Sequence, residues 1–188
     1  YCVMVLKSYL EKFFKYEKAK WESPRLEYQE LTAEDNNFIS EYALSYTEST
    51  DNDTGADELE QFVTELASIL GSENGIAAYE KSAYRGALVA FDFRAHLYAP
   101  LICIKKSGIK IQVSPVSLNE DEKRFVDLLK QYTESHEHEL IGKNLFLLRN
   151  KSKVGMGFFE AGNFYPDYVL WIDTPDVQYI TFIDPKGL

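Results

Sequence analysis

Two apolar runs near the end of the chain, Tyr168 to Ile172 and Tyr179 to Ile183, are separated by Asp173, the stretch Thr174-Pro175-Asp176-Val177 and Gln178. Runs rich in β-branched and aromatic residues, joined by a short Pro/Asp turn, form an antiparallel hairpin. No other feature constrains the fold as tightly, because a four-residue loop over Thr174 to Val177 also fixes the register. Asp173 then faces Gln178, and counting outward sets Asp167 opposite Asp184. Directly opposite side chains share a face, with Cβ atoms about 4.5–5.5 Å apart. Side chains alternate along a strand, so Lys186, two beyond Asp184, projects from that face too. Two carboxylates and an ammonium are therefore expected to converge.

The remainder supplies the body that carries this hairpin. With 188 residues, 45% of them hydrophobic and 27% charged, the chain can bury a core and is not a disordered segment. Val3, Leu6, Leu10, Phe13 and Phe14 recur three or four apart, which predicts an amphipathic helix from Tyr1 to about Glu22, stopped before Pro24. Phe38, Tyr42, Leu44 and Tyr46 suggest a strand, and Ser49 to Gly55 reads as a loop. Leu59, Phe62, Val63, Leu66, Ile69 and Leu70 predict a second helix ending at Gly71. Between Tyr84 and Val116 the segments ALVAFDF, AHLYAPLICI and IKIQV, with a turn signal at Ser107-Gly108, are expected to form a small antiparallel meander. A third helix opens at Asn119, where Glu122 three residues later completes a capping box, and strand patterns resume at Leu145 to Leu148. The fold class is α+β.

Charge and cysteine usage narrow the function classes. A net charge of −10 argues against a general polyanion-binding surface, so any nucleic-acid contact must be local. Cys2 and Cys103 have no Cys or His neighbours at metal spacing, and a reducing cytoplasmic setting is the simplest expectation. No apolar run reaches the length of a membrane span, and Lys7 closes the apolar start without a cleavage site, so neither a membrane anchor nor a signal peptide is expected. A chain that opens on Tyr1 rather than Met reads as part of something longer.

Like charges directly opposite in a hairpin are unfavourable, so the Asp167–Asp184 pair calls for a cation. Mg²⁺, with Mn²⁺ as a substitute, suits such a pair: it takes hard oxygen ligands and often uses only one or two protein carboxylates. Such an ion activates water and polarises a phosphoryl oxygen, and Lys186 could orient the nucleophile or stabilise developing charge. That is the chemistry of phosphodiester hydrolysis. At these residues, Pro166-Asp167 and Asp184-Pro185-Lys186, the sequence resembles the PD-(D/E)XK nuclease superfamily. The segments SLNEDEKRFVDLL, LFLLRNKS, GFFEAGNFYPDYVLW and YITFIDPKGL are similar to the C-terminal nuclease region of helicase-nucleases akin to the type III restriction Res subunit, over roughly Pro115 to Leu188.

The resemblance implies a restriction-endonuclease-like core of a helix followed by a mixed sheet at residues 115–188, cut short at its C-terminal end. Residues 1–114 would be a helical and β-meander linking region. It implies metal binding by Asp167 and Asp184, with the Pro185 carbonyl as a further ligand, Lys186 as catalytic lysine, and Glu122 as the acid of the first core helix. The implied activity is that of a DNA endonuclease partnered by a helicase motor, in the same polypeptide or complex, that uses ATP. The motor is not in this chain, where no G-x-x-x-x-G-K-[ST] occurs. The rival class is a non-catalytic DNA-binding or domain-docking module.

Plainer explanations stand beside each of these residues. Asp167, Asp184 and Lys186 could be a surface ion-pair cluster, and Glu122 is explained by the capping box alone. Lys143, Arg149, Lys151 and Lys153 are candidates for DNA phosphate contact or a solvated loop. Gly155, Gly157 and Gly162 do not fit G-x-G-x-x-G and read as a glycine loop near substrate. His136 and His138 stand in a polar run without further ligands, and His96 reads as a packed histidine.

Overall fold

The computed structural model describes residues 2–25, 30–32, 34–47, 54–72, 79–105, 110–151, 153–157 and 164–185. In chain order the elements are α1 (Cys2–Glu22), β1 (Ala43–Tyr46), α2 (Gly55–Leu70), β2 (Glu80–Ala83), β3 (Leu88–Phe91), β4 (Leu101–Ile104), β5 (Ile111–Ser114), α3 (Glu120–Ser135), β6 (Asn144–Arg149), β7 (Tyr168–Asp173) and β8 (Gln178–Ile183). Among the described residues the strands form three small antiparallel sheets, ordered β1-β5, β2-β3-β4 and β6-β7-β8. The chain is thus α+β. No described helix is long and apolar enough to cross a membrane.

The expected meander is only half present. β3 and β4 pair, Leu88 with Ile104 through Phe91 with Leu101, but β5 leaves them and pairs with β1 instead. The free edge of β3 is filled by β2, whose sequence Glu-Lys-Ser-Ala carries no apolar alternation and is recruited by its neighbour's unpaired backbone groups. The AHLYAP part of its second segment is not strand. Residues 95–97 run alongside the outer edge of β6, with Leu97 N donating to Leu147 O at 2.9 Å and Leu147 N to Ala95 O at 2.7 Å. The turn signal Ser107-Gly108 lies outside the described residues.

Two apolar clusters hold these pieces. α2 buries Phe62 and Leu66 over Ala83, Leu88, Ala90, Ile102 and Ile111. The larger cluster joins Val89, Phe91, Phe93 and Leu101 to Leu118, Val126, Leu147, Leu148, Tyr168 and Val169. Buried residues from both sides of the expected boundary at residue 114 therefore share one core.

In the third sheet β7 is central and buried on both faces, while β8 is an exposed edge. α3 starts at the expected capping box: Glu122 N donates to Asn119 Oδ1 at 3.0 Å, and Asn119 N donates to Glu122 Oε2 at 2.8 Å. The helix then packs on β7. The Phe125 and Tyr168 rings lie 5.1 Å apart, and Tyr168 Oη donates to the Glu122 carbonyl at 3.1 Å. This ties the first turn of α3 to the start of β7, where the predicted site lies.

Candidate functional site

The β7–β8 register is the one the four-residue loop predicts. Asp173 pairs with Gln178 and Tyr168 with Ile183, so Asp167 and Asp184 are the next residues outward on the two strands. Their carboxyl groups are hydrogen-bonded to each other. Burial pushes the Asp167 carboxyl up to about 6; Arg149 opposes the shift, while the bond to Asp184 and the charges of Glu122 and Asp184 add to it. Pro185 is buried beside them, and Lys186 lies outside the described residues.

The third acid arrives from α3. Glu122 is 5% exposed and divides its oxygens: Oε2 closes the capping box, and Oε1 accepts from Arg149 Nη2 at 2.9 Å. One carboxylate therefore closes the capping box and pairs with Arg149. Arg149 ends β6 opposite Tyr168, with its guanidinium carbon 5.3 Å from that ring's centre. Its Nη1 donates to the Asp167 carbonyl at 2.7 Å and to the Asn150 carbonyl at 3.1 Å, and stands 3.4 Å from Asp167 Oδ1. Nε is buried and has no hydrogen-bond partner among the described residues. An unpaired buried donor costs roughly 1–3 kcal/mol, so the guanidinium is held here by its other contacts.

Those contacts are fixed from behind. The Arg149 amide donates to His96 Nε2 at 2.7 Å, and the Arg149 carbonyl accepts from Tyr98 Oη at 3.1 Å. With Nε2 accepting, the ring's one N–H proton is on Nδ1, which donates to the Tyr98 carbonyl at 2.7 Å. With both nitrogens engaged in this way, burial lowers the His96 pKa to about 4 and the ring stays neutral. Asn150 does the same for the Pro-Asp step: its amide donates to the Asp167 carbonyl at 2.8 Å, and its Nδ2 to the Pro166 carbonyl at 2.9 Å. Asn150 also clamps Met156, through Nδ2 to the carbonyl at 2.7 Å and through Oδ1 from the amide at 2.9 Å. A Cβ on Gly155 would run into the Asn150 side chain and the Lys151 backbone, which is why this loop position is glycine.

The four basic residues expected to meet phosphate do not form one cluster. Lys143 precedes β6, whose Asn144 pairs with Asp173, so it lies at the far end of the sheet from Asp167, roughly 24 Å away at about 3.4 Å per residue. Arg149 is turned inward and ion-paired, because Glu122 and Asp167 offer a better environment than solvent. The Lys151 ammonium donates to the Asn36 carbonyl. Lys153 is exposed at a positive φ of 63°. Gly162 lies outside the described residues. His136 stacks on Tyr132 and His138 stands by Glu139, both away from the carboxylates.

Sequence reasoning did not find His96, Tyr98 or Asn150 as parts of the site, nor the inward role of Arg149. The signal available was an Arg-Asn pair ending an apolar strand. For a divalent cation the donor chemistry fits: Asp167 and Asp184 are hard oxygen donors at facing positions of the hairpin, and each other's charge is a crowding that a cation relieves. It fits as a two-carboxylate site. Among the described residues no three His, Cys, Asp or Glu side chains group so as to hold a metal, and Glu122 and Asp167 are both bonded to Arg149. Comparison with family models, with curated proteins and with solved structures finds no match for this chain.

Proposed function

We propose that this chain is a nuclease module of the PD-(D/E)XK kind that hydrolyses DNA phosphodiester bonds with Mg²⁺, or Mn²⁺ in its place, beside a helicase motor of restriction or defence type. The observation that carries the reading is the β7–β8 register, which sets the Asp167 and Asp184 carboxyls against each other beside Glu122. In this reading Asp167 and Asp184 hold the ion, with the Pro185 carbonyl as a further ligand. A divalent ion bound there supplies a water of lowered pKa and polarises the phosphoryl oxygen. Lys186 orients the attacking water and offsets charge developing on the phosphate. Glu122 and Arg149 hold the Pro166-Asp167 step in place through the contacts described above.

The test is cleavage of plasmid and linear DNA with Mg²⁺ or Mn²⁺. Asp184→Ala and Lys186→Ala should abolish cutting while the far-ultraviolet circular dichroism stays that of wild type. Unchanged cutting by either folded variant would remove that residue from the site. One observation favours a second reading, a non-catalytic docking module: the net charge of −10 opposes free DNA binding. Metal-independent binding confined to a motor-domain protein, without cutting, would support it.

A further inference from the structure

Arg149 carries a positive charge into a cluster of three acids, and the way it is held says what that charge does. Its backbone is pinned on both sides, by His96 at the amide and Tyr98 at the carbonyl. One arm of the guanidinium is committed to Glu122 at 2.9 Å, and the other to the Asp167 carbonyl at 2.7 Å. The contact to the Asp167 carboxylate is the loosest of the set, at 3.4 Å, and Nε has no partner among the described residues. A cation arriving at Asp167 and Asp184 therefore competes with Arg149 only for that weak contact. The guanidinium remains on Glu122 and on the Asp167 carbonyl, and its charge remains close to the newcomer.

We propose that Arg149 is the resident counter-ion of the carboxylate cluster, a positioning residue that keeps Glu122 and Asp167 together without metal and whose charge sets the affinity for a divalent cation low. The proposal rests on the nuclease reading above, because it takes Asp167 and Asp184 as the metal ligands. It adds the regulation of that site. A weakly held ion leaves the cluster paired with Arg149 until a substrate phosphate contributes further oxygen ligands and negative charge.

The experiment is a titration of the full chain with Mn²⁺, reading free ion by electron paramagnetic resonance, for wild type, Arg149→Gln and Arg149→Lys. Two charges at such distances inside a protein interact strongly enough that Arg149→Gln should bind Mn²⁺ at least about tenfold more tightly. Arg149→Lys, which keeps the charge and loses the fork, should stay within about threefold of wild type. A residue that only held the structure together would weaken binding in both variants. Should Arg149→Gln fail to fold, Glu122→Gln/Arg149→Gln replaces the buried ion pair by two amides, and it should bind more tightly than Glu122→Gln alone. A folded Arg149→Gln, or that double variant against its parent, with equal or weaker affinity overturns the proposal and leaves the nuclease reading standing. No saturable Mn²⁺ binding by wild type or any variant overturns the nuclease reading itself, and this proposal with it.

Discussion

α1 and α3 both carry apolar residues three and four apart, yet they end in opposite surroundings. α1 runs 21 residues with Val3, Leu6, Leu10, Phe13 and Phe14 each more than half exposed, and its first turn has no acidic residue. It ends on its own following turn, where Arg25 stacks over Trp21 at 4.2 Å. α3 runs 16 residues from a complete capping box with three acids in its first turn, and it buries Glu122 and Val126. Apolar spacing makes a helix amphipathic, but it does not supply the surface that the apolar face meets. For α3 that surface is β7, whose Tyr168 offers a ring to Phe125 and a hydroxyl to the helix backbone. The buried acid of α3 also reaches the candidate site through Arg149.

The strongest way to break this contrast is at Arg149 itself. Arg149→Ala strands Glu122 as an unpaired buried carboxylate, and it should destabilise the fold by about 3–5 kcal/mol, read as a lowered urea midpoint with an unchanged slope. A loss below about 1 kcal/mol would mean that the ion pair is not formed in solution. Next is the start of α3. Asn119→Ala removes the side-chain acceptor of the Glu122 amide and should cost about 1 kcal/mol at the urea midpoint, while the backbone amide that donates to Glu122 Oε2 is kept. Smallest is Leu10→Ala on α1, which should shift the midpoint by less than about 0.5 kcal/mol. A large shift there would show that α1 buries its apolar face in solution.

Acidity sharpens the comparison in a second way. Asp167 titrates at about 6 in the folded chain against 3.8 for a free carboxyl, so between those values the folded state holds more protons than the unfolded one. Its contribution to stability is full below the lower value and is lost as the pH rises through about 6. Asp167→Asn, which does not titrate and mimics the protonated carboxyl, should therefore gain stability relative to wild type as the pH rises over that interval. His96 runs the other way: its pKa falls from 6.5 to about 4, so its contribution is present above the higher value and is lost as the pH falls through the lower one. Protonation at Nε2 would set a second donor against the Arg149 amide, so His96→Gln should flatten the acid side of the profile.

How much of this could be read from the sequence depends on how local each interaction is. The Asp167–Asp184 alignment follows from a turn and period-two counting, and the Asn119–Glu122 box from a spacing of three, so both are legible. β2 is not, because Glu-Lys-Ser-Ala becomes a strand only by offering backbone to β3. Nor is the exchange of β5 for a place beside β1, since an antiparallel neighbour four strands back in sequence leaves no local mark. Arg149 is the clearest case. Its partners Glu122 and His96 stand 27 and 53 residues away, and a charged residue after an apolar strand reads as a solvated end until the tertiary fold turns it inward.

The central claim is that the β7–β8 hairpin forms a catalytic metal centre. Its most direct test is Mg²⁺-dependent cleavage of plasmid DNA by wild type and by Asp184→Ala side by side. The account predicts metal-dependent nicking or linearisation by wild type that disappears with EDTA and in Asp184→Ala. Cutting that persists in a folded Asp184→Ala, or that needs no divalent ion, would contradict it.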